Sequence, residues 1–221
     1  MLAAGELDVA LVSSYEFLRN PIYQIVDGVS IASDGAVYSV VVAYEGSGPG
    51  PRVELDPASE TSVALLQLLV NERGASLTAV KMEGEMLSPV TSDRSRLLIG
   101  DQAIRFRQEY GTTYRYWDLG EEWKGVTRLP FVYALWLVRP EVRDPHVIGD
   151  ELRVLRDRNL QNLDEVISLQ TEFSPEFCTR YYTRHLRFSL GDREKTGLRE
   201  FGRECAKLGL IPQGEPTLQL V

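Results

Sequence analysis

The sequence predicts an α/β fold built as two lobes. Three observations predict it. Short apolar runs rich in β-branched and aromatic residues alternate with stretches of helical spacing, the pattern of strands joined through helices. The length of 221 residues is long for one compact domain and short for two ordinary ones, so one large domain or two small lobes both fit. Two breaks, the Gly46-Ser47-Gly48-Pro49-Gly50-Pro51 segment and the strand at Phe131, mark where the chain changes lobes. One lobe is expected from 1–55 and 131–221, and a second from 56–130. Mostly parallel strands are expected, with the ligand cleft between the lobes.

Asp8-Val9-Ala10-Leu11-Val12 reads as a buried strand, and Ser13-Ser14 follows it directly. Tyr15-Glu16-Phe17-Leu18 is a helical turn that Asn20-Pro21 stops. Gly35 to Ala43 has the composition of a strand, and Val53-Glu54-Leu55 is a short one. Val63 to Val70 is apolar nearly all round, so it reads as a helix held inside a core. Its start is crowded with hydroxyls, Ser59, Thr61 and Ser62, of which capping needs one. Leu97-Leu98-Ile99 is a buried strand that Gly100-Asp101 ends, and Ala103-Ile104-Arg105-Phe106 reads as extended chain beyond it. Tyr116 to Trp123 is a turn into a helix. Leu129 to Trp136 is an apolar strand with Pro130 near its start, where proline is tolerated. The remainder is helical. Leu152, Leu155, Leu163 and Val166 share a stripe; Tyr181, His185 and Phe188 lie in a helix that Gly191 closes; Leu198, Phe201, Cys205 and Leu208 form the last stripe.

Composition excludes several classes of function. The net charge of −8 argues against nucleic acid, because phosphate neutralisation needs clustered Lys and Arg. It also repels anionic ligands globally, so a bound acid must be met by local donors such as helix-start N–H groups. Cys178 and Cys205 form no CxxC or Cys/His pattern, so no metal is expected and both read as packing thiols of a reducing compartment. No apolar run approaches ~18 residues, so no membrane span is expected. The first residues, Met1 to Asp8, lack a basic region followed by an apolar stretch, so no signal peptide is visible and a cytoplasmic location is expected. Nothing in the sequence fixes the oligomeric state.

Several stretches carry a resemblance. They are Gly5-Glu6-Leu7-Asp8-Val9-Ala10-Leu11-Val12-Ser13-Ser14-Tyr15-Glu16, then Leu55-Asp56-Pro57-Ala58-Ser59-Glu60-Thr61-Ser62-Val63-Ala64-Leu65-Leu66, then Leu97-Leu98-Ile99-Gly100-Asp101-Gln102-Ala103, and last Tyr116 to Trp123 followed by Leu129 to Trp136. In this order and spacing they resemble the chorismate dehydratases of the futalosine route to menaquinone. The stretch from Leu190-Gly191 through Phe201 to Ile211 is similar as well, so the resemblance covers nearly the whole chain. It implies a two-lobed, type II periplasmic-binding-protein-like fold used in the cytoplasm as an enzyme. It implies loss of water from chorismate to give 3-[(1-carboxyvinyl)oxy]benzoate, with no cofactor. It also implies a further N-terminal segment, with a first strand and a Tyr-x-Asn-like motif reaching the ligand, that would precede the start of this chain.

Chorismate carries two carboxylates, so the site must hold two anions, exclude water and position a base. Ser13 and Ser14 are the first candidates for carboxylate binding; capping the following helix is their other role. Thr61 and Ser62, with Ser59, are the second set. Gly100 ends a strand, where a glycine lets a ligand approach the backbone closely. Asp101 is a candidate base or a helix cap. Asp118, Glu121 and Glu122 form a carboxylate cluster that can serve as an acid–base pair or simply answer a helix dipole. His146 and His185 stand alone, and Trp117, Trp123 and Trp136 read as packing. A substrate carboxylate acting as its own base is the alternative to a protein base. Two other functions stay in view. One is a non-enzymatic small-acid binding protein of the same fold. The other is the sister 1,4-dihydroxy-6-naphthoate synthase, whose family pattern has a histidine in the matching stretch, so Gly100 favours the dehydratase.

Overall fold

The computed structural model describes residues 1–55, 60–82, 87–91, 93–214 and 217–221. In chain order its elements are β1 (Val9–Ser13), α1 (Ser14–Arg19), β2 (Gln24–Ser33), β3 (Val40–Tyr44), β4 (Arg52–Leu55), α2 (Glu60–Glu72), β5 (Thr78–Lys81) and β6 (Ser95–Ile99). They continue with α3 (Gly100–Tyr110), β7 (Arg115–Asp118), α4 (Leu119–Thr127), β8 (Phe131–Val138), α5 (Pro145–Gln161), α6 (Leu163–Ser168), α7 (Pro175–Arg180), a π-helical turn (Tyr181–His185) and α8 (Asp192–Lys207). The chain divides into two compact units, Met1–Asp34 with Leu129–Val221, and Gly35–Arg128.

In the first unit β8 is the central strand of a three-stranded sheet ordered β1-β8-β2. β1 and β2 both pair with it antiparallel, Val9 opposite Val138 and Ser33 opposite Phe131. β2 lies where the sequence reading assigned no element. Its Asp27-Gly28 pair has turn chemistry, yet the structure absorbs it as a register shift inside a ten-residue strand, with Gly28 at φ +78°. Val26, Val29, Val138 and Val221 form a core against which Ile148 and Leu152 of α5 pack. α8 docks on the start of β8, where Phe131 and Phe201 meet edge to face at 4.8 Å. Gly197 makes that approach possible, since a Cβ there would lie 2.1 Å from the Pro130 carbonyl oxygen.

The second unit holds a five-stranded sheet ordered β5-β4-β6-β3-β7. β4 runs parallel to β5 and β6, while β3 runs antiparallel to β6 and β7. The expectation of mostly parallel strands is therefore corrected: one sheet is wholly antiparallel and the other mixed. Val41, Ala43, Leu98, Ala103, Phe106 and Tyr114 form a core on one face. Between β4 and β6 lies a buried ion pair, Glu54 with Arg96 at 2.7 Å, completed by Arg96 donating to the Ser88 carbonyl and by Arg94 at 3.2 Å from Glu54.

The first crossing between units falls after Asp34, not after Leu55, because β3 and β4 hydrogen-bond into the sheet that contains β6. The Gly46–Pro51 loop joins two strands of that one sheet. The second crossing falls after Arg128, two residues before the expected point. Residues 103–106 are helical, not extended. Ala103, Ile104 and Phe106 are buried while Asp101 and Arg105 are exposed, a helix face that a short window reads as alternation. The helix expected through Phe188 ends at His185; Arg187 then bridges to Ala32, and Gly191 opens α8 instead of closing a helix.

Candidate functional site

In the first unit, β1 leads straight into α1 at Ser13 and Ser14. Ser14 is fully buried, and its hydroxyl donates to the Val132 carbonyl of β8 at 2.7 Å. Its proton is thus committed to holding α1 against the sheet. Ser13 is half-buried, and its side chain does not cap α1.

In the second unit, Thr61 and Ser62 sit in the first turn of α2, each 6% exposed. Ser59 lies outside the described residues. β6 leads straight into α3 at Gly100, which is exposed and has φ +55°. A Cβ there would meet nothing within 4 Å, so the backbone is open to a visitor. The Gly100 N–H is already engaged, donating to the Ser39 carbonyl at 2.7 Å. Asp101 is exposed in the first turn of α3, where a carboxylate answers the helix dipole. The side chain at the α3 N-cap position, Ile99, offers no capping hydrogen bond.

The carboxylate cluster does not act as a pair. Asp118 caps α4 by accepting from Gly120 N–H at 3.0 Å and Glu121 N–H at 3.1 Å, and it also accepts from Val37 N–H at 3.1 Å and Tyr38 N–H at 2.7 Å. Glu122 pairs with Arg73 at 2.8 Å and accepts from the Trp117 indole at 3.2 Å. Glu121 is exposed. His146 is exposed on α5, and His185 packs beside Tyr181. Burial pushes the Cys205 thiol up to about 12 and raises that of Cys178, so both are poor nucleophiles.

Three features escaped the sequence reading. One is the Glu54–Arg96 pair. The second joins Tyr38, a non-glycine residue at φ +69°, to Arg107, whose guanidinium lies 3.8 Å over the Tyr38 ring. The third is an apolar groove of about 320 Å³ within the first unit, lined by Leu11, Trp136, Leu155, Leu160 and Tyr182 among others. Arg156 in that groove is tied to Asp157 and to the Gly28 carbonyl, and Ser30 donates to the Ser189 carbonyl. No spacing rule marks any of the three, because each joins residues far apart in the chain.

The fold places the chain among binding-protein-like molecules. It superposes on the periplasmic aliphatic sulphonate-binding protein SsuA of Escherichia coli with a TM-score of 0.67 at 12% identity, covering 96% of this chain and 78% of that one. It superposes on protein AF1704 of Archaeoglobus fulgidus with a TM-score of 0.73 at 22% identity, covering 95% and 82%. Residues 1–207 match the family model described as menaquinone biosynthesis. The chain is 33% identical over 237 residues to the chorismate dehydratase of Thermus thermophilus, covering 98% of this chain and 86% of that protein. The chain belongs to this menaquinone-biosynthesis family.

Proposed function

We propose that this protein is a hydro-lyase that converts chorismate to 3-[(1-carboxyvinyl)oxy]benzoate and water, in the cytoplasm, as a step of the futalosine route to menaquinone. The observation that carries this reading is the 33% identity to a chorismate dehydratase across 98% of the chain. The reaction removes the ring proton beside the ether oxygen and the hydroxyl on the neighbouring carbon. It is an elimination without net redox change, and the aromatic ring formed supplies the driving force. What the protein contributes is grip, orientation and exclusion of water.

The open backbone at Gly100 supports a role in contacting the substrate closely. The α3 start offers N–H groups without a side-chain cap, which suits a carboxylate. Thr61 and Ser62, in the first turn of α2 in the same unit, serve as further hydroxyl donors in this reading. Asp118 and Glu122 are both tied elsewhere, and this reading assigns the ring proton to Asp101 or to a substrate carboxylate.

Incubating the purified protein with chorismate tests this directly. Appearance of the aromatic product by ultraviolet absorbance and mass spectrometry, without added nucleotide, is the expected result. Intact chorismate after long incubation with well-folded protein would sink the reading.

A further inference from the structure

Tyr38 holds a backbone conformation that side chains other than glycine rarely adopt. Such a conformation persists only where the surroundings over-determine it. Here they do so at every polar group of the residue's backbone. Asp118 accepts the Val37 N–H with one oxygen at 3.1 Å and the Tyr38 N–H with the other at 2.7 Å. Arg107 donates to the Tyr38 carbonyl at 2.9 Å. The same guanidinium lies against two rings, 3.8 Å from the centre of Tyr38 and 4.7 Å from that of Tyr116.

The residue after Tyr38 explains what this bracing accomplishes. Ser39 is buried, and its carbonyl accepts the Gly100 N–H at 2.7 Å. Val40 then pairs with Ile99 as β3 enters the sheet. The left-handed turn at Tyr38 therefore sets where the Ser39 carbonyl points, and that carbonyl fixes the junction at which β6 becomes α3. Gly100 itself, at φ +55° with open space above it, has no side chain to lock its own geometry.

We propose that Arg107 and Asp118 are positioning residues for substrate binding, acting through Tyr38 and Ser39 to hold the Gly100 backbone in register. The inference rests on the reading of Gly100 as a substrate contact. Arg107 reaches the Gly100 backbone only through Tyr38 and Ser39, so its removal is expressed as lost preorganisation of a binding backbone.

The test is a set of variants with two independent readouts. In Arg107→Met the KM for chorismate rises about tenfold with kcat changed by less than about threefold, the signature of lost ground-state binding. Adding Tyr38→Gly to that variant restores most of the loss, because glycine adopts φ +69° unaided. Arg107→Lys keeps a charged donor, and gives an intermediate KM if Arg107→Met does not fold. Amide exchange is the second readout and needs no substrate: peptides spanning 36–40 and 98–102 lose protection together in the Arg107 variants. Wild-type protein that leaves chorismate intact would sink the proposed function, while the exchange result still judges the linkage. Unchanged KM and unchanged exchange at 98–102 in a folded Arg107 variant overturn the inference. So does a loss that tracks thermal stability and is not rescued by Tyr38→Gly.

Discussion

Cys205 shows how far a single side chain is set by its surroundings. The thiol is fully buried on α8, and burial, reinforced by Glu204, pushes its pKa up to about 12. The folded state therefore keeps this proton at a pH where an unfolded chain, with a thiol near its ordinary value of 9.0, gives it up. Below that ordinary value both states are protonated and the site has no effect on stability. As pH rises from there toward 12, ionisation favours the unfolded chain and stability is lost. Urea unfolding across this window is expected to show a loss that Cys205→Ala reduces; an identical alkaline slope in that variant would refute the assignment. At pH 8 neither Cys205 nor Cys178 should react quickly with a thiol reagent until denaturant is added. The sequence already marked both as packing thiols, since neither belongs to a CxxC or Cys/His pattern. It could not mark Tyr38, Arg107 and Asp118 as a group, since those positions meet only after β3, α3 and β7 have assembled.

At the scale of elements, the docking of α8 on β8 depends on one absent side chain. Gly197→Ala would drive a methyl group into the Pro130 carbonyl, which is backbone and cannot swing aside. The expected cost is about 1–3 kcal/mol, typical of overpacking. It is read from the urea midpoint, and an unchanged midpoint would mean that the helix simply slides. The Gly197 requirement was invisible beforehand, because a glycine in a helix reads only as a weak point. Other elements were legible to different degrees. β1, β4, β6 and β8 were read from their short apolar runs, α2 from a run apolar nearly all round, and α8 from its spacing. α3 was misread because the window Ala103 to Phe106 is shorter than two helical turns, where periods of 2 and 3.6 are not separable. β2 was missed because Asp27-Gly28 has the chemistry of a turn. β5 was missed because it is mostly exposed and carries little apolar signal. The place of Gly100 at a strand end was legible, since β6 ends at Ile99, whereas the commitment of Ser14 to Val132 depends on a partner 118 residues away.

For the molecule as a whole, the net charge of −8 bears on how a dianionic substrate arrives. The global field opposes its approach, while in the proposed site helix-start N–H groups act only at short range. Salt screens the long-range repulsion over about 8–10 Å at physiological strength and leaves short contacts mostly intact. The kcat/KM for chorismate is therefore expected to rise roughly twofold between low and physiological ionic strength. A steep fall instead would show that exposed cations near the site govern the encounter. Among the described residues no helix is long and apolar enough to cross a membrane.

The position of β8 also has a consequence in time. β8 is the central strand to which both β1 and β2 are hydrogen-bonded, yet it is synthesised after the whole of Gly35–Arg128. The second unit is one continuous stretch and can close its contacts as soon as it has left the ribosome. The first unit cannot: β1 and β2 must wait, unpaired, for about a hundred residues to be added. During that interval their apolar edges are exposed, and the nascent chain is at its most vulnerable to pairing with the wrong partner. Folding of this protein is thus ordered by its topology, with the inserted unit first and the lobe that encloses it in sequence last.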